Sequence, residues 1–491
     1  MTDYHVIAEG LKLPSQILID GQWRDALSGA TFATIDPSTG RELAQLPACD
    51  AADVDAAVAS ARAAFKSGVW SDLHPTARKA VLVKLAALIE DNLTELAVME
   101  VIDAGKPITD CLEIDVPETA SCIRWHAEAQ DKLYDQIAPS APDAVGMIMR
   151  EPVGVVAAVL PWNFPLMMMA WKIGPALATG NSVIVKPAEQ TSLTALRLGQ
   201  LALEAGVPPG VLNVVTGFGP EVGEPLGRHM DVDALTFTGS TEVGRRFLEY
   251  AAQSNVKDVC LEMGGKSAAV VLEDARDIAR IAEVQANAIF WNMGENCTAN
   301  SRIIVHASRY DELVEELRKQ AATWVVGDPL DPATQNGPLV SKEHFEKVAG
   351  LTQKGKDEGA RLICGGEAGQ GLSFVPTVFA DVTRDMTIFQ EEIFGPVVAV
   401  TKAANDDEAI ELANATAYGL AATLYTSDVA KAHRYARMLN AGTVGVNNYS
   451  EGEISTPFGG FKQSGFGGRD NGIHAHEQYT ELKTIWLDLN G

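Results

Sequence analysis

Between residues 153 and 239, short unbroken apolar runs alternate with helix-like stretches. VGVVAAVL (153–160), SVIVKP (182–187), VLNVVTG (211–217) and ALTFTG (234–239) lack the polar alternation of a strand with one wet face. Such runs belong to strands buried on both sides. PLMMMAWKIGPALATG (165–180) and TSLTALRLGQLALEAG (191–206) separate them, each ending at a glycine suited to closing a helix. Strand–helix alternation at this spacing predicts an α/β fold with a parallel, doubly wound sheet. Ligands on such sheets bind beyond the carboxyl ends of the strands.

A second α/β stretch runs from about 265 to 460. Its predicted strands are SAAVVL (267–272), RIIVHA (302–307), PVVAVT (396–401) and TVGVNN (443–448), with helices over 277–292, 309–324 and 406–416. Upstream, Asp50 is placed to cap a helix running to 66. Leu82, Leu85, Leu88, Ile89, Leu93 and Leu96 share one face of a predicted long helix. The tail ELKTIWLDL (481–489) reads as an exposed or intersubunit strand. No internal repeat or low-complexity tract interrupts the chain.

A length of 491 residues fits two to four domains. With 65 acidic against 39 basic residues, the formal charge is −26. That repels phosphate backbones and anionic membranes, so neither nucleic acid nor membrane is an expected partner. Six cysteines without a C-x-x-C pair make neither a zinc ribbon nor a disulfide scaffold, and no metal site is expected. The N-terminal segment has no basic n-region followed by an apolar h-region, and no window approaches a membrane span. The expected location is cytoplasmic.

Several loops carry chemistry. GFGPEVG (217–223), with Gly219, falls one residue short of a dinucleotide fingerprint, because its last glycine is Gly223 where the pattern needs 222. FTGSTEVG (237–244) ends a strand and opens a helix near Thr241, so Gly239, Ser240 and Gly244 suit a phosphate. Plain turn glycines are the alternative for either loop alone. Lys186 and Glu189 follow a buried strand; they suit a nucleotide ribose or else form a surface ion pair. Cys297 lies in a polar, glycine-bearing loop, WNMGENCTANSR, which favours a reactive thiol over an inert filler. Cys260, inside an apparent strand, reads as filler. Glu262, at a strand end before Gly264 and Gly265, is a candidate general base or an ordinary turn residue. Asn163, between prolines in PWNFP, is a candidate oxyanion donor or a turn asparagine.

Together these segments resemble the aldehyde dehydrogenase superfamily. The matches are PWNFP (161–165), KPAEQT (186–191), FTGSTEVG (237–244), LEMGGKS (261–267), GENC (294–297), EEIFGPV (391–397) and PFGGFKQSG (457–465), in the family's order and over nearly the whole chain. The resemblance implies a Cys297 nucleophile that forms a thiohemiacetal and then a thioester, with hydride passing to NAD. It implies Asn163 and the Cys297 N–H as oxyanion donors and Glu262 as the base that activates water. For the cofactor it implies Trp162, Lys186, Glu189, Gly219, Gly239, Ser240, Gly244, Glu392 and Phe394. Glu189 favours NAD, with NADP tolerance open. The implied domains are a cofactor domain (1–133 and 153–263), a catalytic domain (264–463) and a β oligomerisation arm (134–152 and 479–491), assembled as a homodimer or homotetramer. Two residues depart from the family: Glu295 stands where Gln is frequent, and Asn300 where Gly is common. A carboxylate turned toward the thiol would raise its pKa; Glu295 is expected to point away. Asn300 puts the pocket floor in question.

The segments VGVNNY (444–449) and TPFGGFKQSG (456–465) look like the bacterial branch that oxidises ω-amino aldehydes, including γ-glutamyl-γ-aminobutyraldehyde and 4-guanidinobutyraldehyde, in polyamine or arginine catabolism. Glu451 and Glu453 are then candidates to meet a cationic substrate end, or else solvated loop residues. Phe164, Met168, Trp171 and Trp291 match the tunnel wall. That wall also suits neutral aldehydes, so a broad-specificity enzyme is the alternative. An acylating enzyme using coenzyme A and a non-catalytic binding protein are more distant ones, and Glu262 and Cys297 argue against them.

Overall fold

The computed structural model describes residues 2–450 and 452–490. Its first sheet has eight strands. Five are parallel, in the order Asp258–Met263, Ala234–Gly239, Val155–Val159, Ser182–Lys186, Leu212–Val214. Apolar layers cover both faces, which explains the unbroken apolar runs. Of these five, Val155–Val159 comes first in the chain, and the later ones add outward from it in both directions. The switch point therefore lies between Val155–Val159 and Ala234–Gly239, and their carboxyl ends lead into Trp162–Phe164 and Ser240. Three short antiparallel strands were not foreseen: Ile17–Ile19 and Gln22–Arg24 at one edge, and Gly465–Phe466 at the other.

The second sheet has seven strands, again packed on both faces. The four predicted strands are present, joined by Arg361–Cys364, Thr377–Ala380 and Ala421–Tyr425. Thr480–Asp488 pairs antiparallel with Ala144–Pro152 along nine residues, and Gln136–Ala138 completes a three-stranded arm. Among the described residues, no helix is long and apolar enough to cross a membrane.

Two helical expectations need correction. The long helix is two, Pro75–Asp91 and Leu93–Ala104, broken at Asn92, whose backbone leaves the helical region and whose Nδ2 donates to the Leu88 carbonyl. The helix predicted over 277–292 stops at Phe290. Asn292, Met293 and Gly294 then take left-handed conformations in succession. For the two non-glycines this costs energy that only surrounding contacts can offset. Asn292 supplies such contacts by donating to the carbonyls of Asn163 and Glu295. Asp50, by contrast, caps its helix as expected, accepting from Ala52 N while Asp53 accepts from Asp50 N.

One buried pair makes stability pH-dependent. His126 Nδ1 and His476 Nε2 lie 2.9 Å apart in the interior. Burial, and then His476, hold His126 well below the usual imidazole range; burial brings His476 down to about 4. The unfolded chain takes up these protons near pH 6.5, while the folded one refuses them until far lower. Stability is therefore full above about 6.5 and falls as pH drops toward 4, by on the order of 3 kcal/mol for His476 alone. Urea unfolding at pH 7.5 and 5 checks this: wild type is expected to lose stability, and His476→Gln to show a shallower slope.

Candidate active site

One cavity touches the carboxyl ends of the central strands of the first sheet and the loops of the second. Cys297, Asn163 and Glu262 all line it. On one side the wall is Phe164, Met167, Met168, Trp171 and Phe458; other lining residues are Thr238, Gly239, Ser240, Lys347 and Glu392. Trp162 and Phe394 also face it, their rings 5.2 Å apart, with His344 against Trp162 at 4.8 Å.

Cys297 is partly exposed. A Cβ on Gly265 would collide with the Cys297 carbonyl, and one on Gly264 with the Glu392 carboxylate. The Gly–Gly turn thus serves close approach: it lets the Glu262 strand pass directly beneath the nucleophile loop. Gly265 N also donates to Glu392 Oε1 at 2.7 Å. Asn163 is anchored by its own backbone. Its carbonyl accepts from Lys106 Nζ (3.0 Å) and Asn292 Nδ2 (3.2 Å), and Lys106 sits 3.7 Å over the Phe164 ring. Asn163 Nδ2 spends one hydrogen on the Glu295 carbonyl at 2.9 Å. A primary amide carries two, and Asn163 is among the residues that line the cavity.

Glu262 is buried, and its Oε2 has no hydrogen-bond partner among the described residues. Burial, then the Asp470 carboxylate, push it well above the usual range, and Lys172 and Arg469 pull it partly back. Lys172 and Asp470 form an ion pair at 2.6 Å, both about 1% exposed. A carboxyl raised in this way holds its proton more tightly than a free glutamate, which makes it a stronger base toward water once ionised. The sequence reading missed both partners. The signal for Lys172 was present: a lone cation on an otherwise apolar helix must have a buried counter-charge.

The other candidates fall as follows. Lys186 is buried, 3.6 Å from the half-exposed Glu189. Gly239 and Ser240 line the cavity, with the Ser240 hydroxyl capping the helix Thr241–Ala252. Gly244 is held by packing, since a Cβ would meet Met263 Sδ. Gly219 opens a short helical turn and has open space before it. These groups fit a dinucleotide: a helix N-terminus and close-packed glycines for phosphates, and a carboxylate for a ribose. Trp291 does not line the cavity; it stacks behind Phe164 at 5.3 Å and supports the wall. Asn300 is not a pocket floor either, because its Nδ2 is tied to Thr423 Oγ1 at 2.7 Å. Glu295 turns away from the cavity, its carboxylate accepting from Val340 N at 3.1 Å. Glu453 is exposed outside the cavity, and Glu451 lies outside the described residues.

The chain is similar to known proteins over nearly its whole length. The model of the aldehyde dehydrogenase family matches residues 23–485. An aminoacetaldehyde dehydrogenase of Pseudomonas aeruginosa is 55% identical over 488 residues, 99% of this chain and 98% of that protein. The solved structure of γ-glutamyl-γ-aminobutyraldehyde dehydrogenase from Burkholderia cenocepacia is 50% identical, with a TM-score of 0.97 and 99% of each chain covered. An indole-3-acetaldehyde dehydrogenase solved with NAD+ is 49% identical, with a TM-score of 0.98 and the same coverage.

Proposed function

The chain belongs to the aldehyde dehydrogenase family, and from that premise we propose that it oxidises a small ω-amino aldehyde to its carboxylic acid with NAD, in the cytoplasm. Among the described residues no cysteine is in a disulfide, as suits a reducing compartment. Bound NAD would accept the hydride. The rest falls to the protein. Cys297 adds to the aldehyde carbon. Asn163 Nδ2 and the Cys297 N–H stabilise the oxyanion, and the thioester left after oxidation is hydrolysed by water that Glu262 deprotonates. Trp162, Lys186, Glu189, Gly219, Gly239, Ser240, Gly244, Glu392 and Phe394 are the proposed cofactor contacts.

The observation that carries the amino-aldehyde assignment is a pair of carboxylates. Burial, then Glu453, push the Glu118 carboxyl up. Glu118 stands on the helix Val116–Ala129, which packs along the helix bearing Met168 and Trp171. Burial and the neighbouring carboxylate both disfavour the ionised form of Glu118, and a cation beside it would offset that cost. An ammonium group at the end of a short chain reaching outward past the apolar wall would supply that cation. The relatives named for aminoacetaldehyde and γ-glutamyl-γ-aminobutyraldehyde support this. The indole-3-acetaldehyde relative, together with the aromatic wall of Phe164, Trp171 and Phe458, favours the second reading, a broad-specificity enzyme for neutral aldehydes.

Rates of NADH formation with 4-aminobutyraldehyde and butyraldehyde decide between them. Preference for the amine by about tenfold in kcat/KM corresponds to about 1.4 kcal/mol of differential transition-state binding. Glu118→Gln with Glu453→Gln is expected to remove that preference and leave butyraldehyde within about twofold. Equal loss on both substrates sinks the assignment.

We also propose that the arm builds a homodimer or homotetramer. Tyr134, Ile137, Leu482 and Trp486 are each more than 60% exposed on it, an apolar face that a second copy would cover. Light scattering is expected to give a multiple of 52.3 kDa for wild type and a smaller mass for Trp486→Glu.

A further inference from the structure

The loop after the strand Thr443–Val446 carries Tyr449, whose ring packs on the apolar layer beneath the second sheet. Its hydroxyl lies 3.0 Å from Asn296 Nδ2 and 2.7 Å from Thr298 Oγ1. Thr298 Oγ1 is in turn 3.0 Å from Asn296 Oδ1, which also accepts from Thr298 N at 3.1 Å. The backbone N–H fixes which end of the amide is oxygen. Asn296 Nδ2 can only donate, so the Tyr449 oxygen accepts from it. Asn296 Oδ1 can only accept, and the Thr298 hydroxyl lies within donating distance of it. Between the Thr298 and Tyr449 hydroxyls, either oxygen can be the donor.

The three contacts close a ring through the Tyr449 hydroxyl and the Asn296 and Thr298 side chains, in which one hydrogen bond polarises the next. Asn296 and Thr298 are the immediate neighbours of Cys297 and are buried. On its other side the Cys297 carbonyl is wedged against Gly265.

We propose that Tyr449 is a positioning residue for the nucleophile. Through this ring it fixes the backbone of residues 296–298, and with it the direction of the Cys297 side chain and N–H. Tyr449 is not among the residues that line the cavity. It sits on the loop that runs on to Phe458 of the cavity wall, so the segment that shapes the substrate end also holds the nucleophile. The inference rests on the reading of Cys297 as nucleophile.

The test uses the full-length enzyme and a neutral aldehyde, butyraldehyde, so that recognition of a charged end does not enter. Misplacing a nucleophile by about 1 Å costs up to about 100-fold. Tyr449→Phe is expected to lower kcat/KM by about 10- to 100-fold and to slow alkylation of Cys297 by iodoacetamide, with the Kd for NAD unchanged. Thr298→Val opens the same ring by another route and carries the test if Tyr449→Phe misfolds. Thr298→Ser keeps the hydroxyl and is expected to restore most of the rate. Because both breaks open one ring, the double variant Tyr449→Phe/Thr298→Val should be no slower than the worse single variant. Multiplying losses, or a Tyr449→Phe enzyme within about twofold of wild type in both rate and alkylation, would overturn the proposal. A lower melting temperature with kcat/KM retained would overturn it too. Activity that survives Cys297→Ala is a different failure, because it removes the nucleophile reading itself.

Discussion

Cys297→Ala is expected to lower the rate of NADH formation by at least about 10,000-fold while NAD binding stays within about twofold. Deleting the nucleophile of a covalent enzyme removes the pathway rather than one contact, and losses of that order or larger are the rule. Alanine removes one sulfur atom from a partly exposed position, so the glycine cradle and the cofactor groups are left in place. Chemical labelling makes the same point in wild type. Burial above all pushes the Cys49 and Cys260 thiols up to about 12, and Cys111 and Cys122 well above their usual value. Cys364 is raised as well. A thiol held protonated is a poor nucleophile. Iodoacetamide at neutral pH should therefore inactivate the enzyme at one equivalent per subunit, with the label on Cys297. Retained activity after complete labelling of Cys297, or in Cys297→Ala, excludes it as the attacking group.

How much of this was readable beforehand follows from how local each signal is. The strands at 155–159, 182–186 and 234–239 announce themselves because both faces are buried, so hydrophobicity alone marks them. The N-terminal strand Ile17–Ile19 does not, because it pairs through Leu18 with Val214 and depends on a partner far along the chain. Arg361–Cys364 is an edge strand with a mostly wet surface, which blurs the apolar pattern. The same division runs through the site. Cys297, Glu262 and Asn163 stand in loops whose composition is already unusual. Lys172 could be marked as needing an anion, but nothing local says that the anion is Asp470, 298 residues away. The break after Phe290 was hidden because Asn292 and Met293 adopt a conformation their residue types disfavour, and only tertiary contacts such as Asn292 to Asn163 hold it.

Replacing Glu262 by glutamine should separate the two halves of the reaction. Oxidation to the thioester needs Cys297, the oxyanion donors and the cofactor, none of which Glu262 supplies. Hydrolysis needs water deprotonated beside the acyl carbon. Glu262→Gln is thus expected to release about one equivalent of NADH per active site in a rapid burst. Steady turnover should then be lower by about 100- to 10,000-fold, the usual range for loss of a general base. The pH profile carries a sign. Because burial and Asp470 hold Glu262 above the ordinary carboxylate range, wild-type kcat should rise with pH as the carboxylate forms, at a pH well above that of a free glutamate. The limb should vanish in Glu262→Gln. Asp470→Asn removes the like charge and so stabilises the ionised base, moving the limb to lower pH. It also strands the Lys172 ammonium in an interior where both partners are about 1% exposed. A broken buried pair of this kind costs about 3–5 kcal/mol, so the shift must be read at a temperature where the variant is folded. Lys172→Met acts in the opposite direction: it removes the compensating cation and moves the limb to higher pH. Opposite displacements from the two ends of one ion pair would be hard to obtain from a general loosening of the fold, which moves both variants the same way. An unchanged limb in both would mean that the group titrating in turnover is not Glu262.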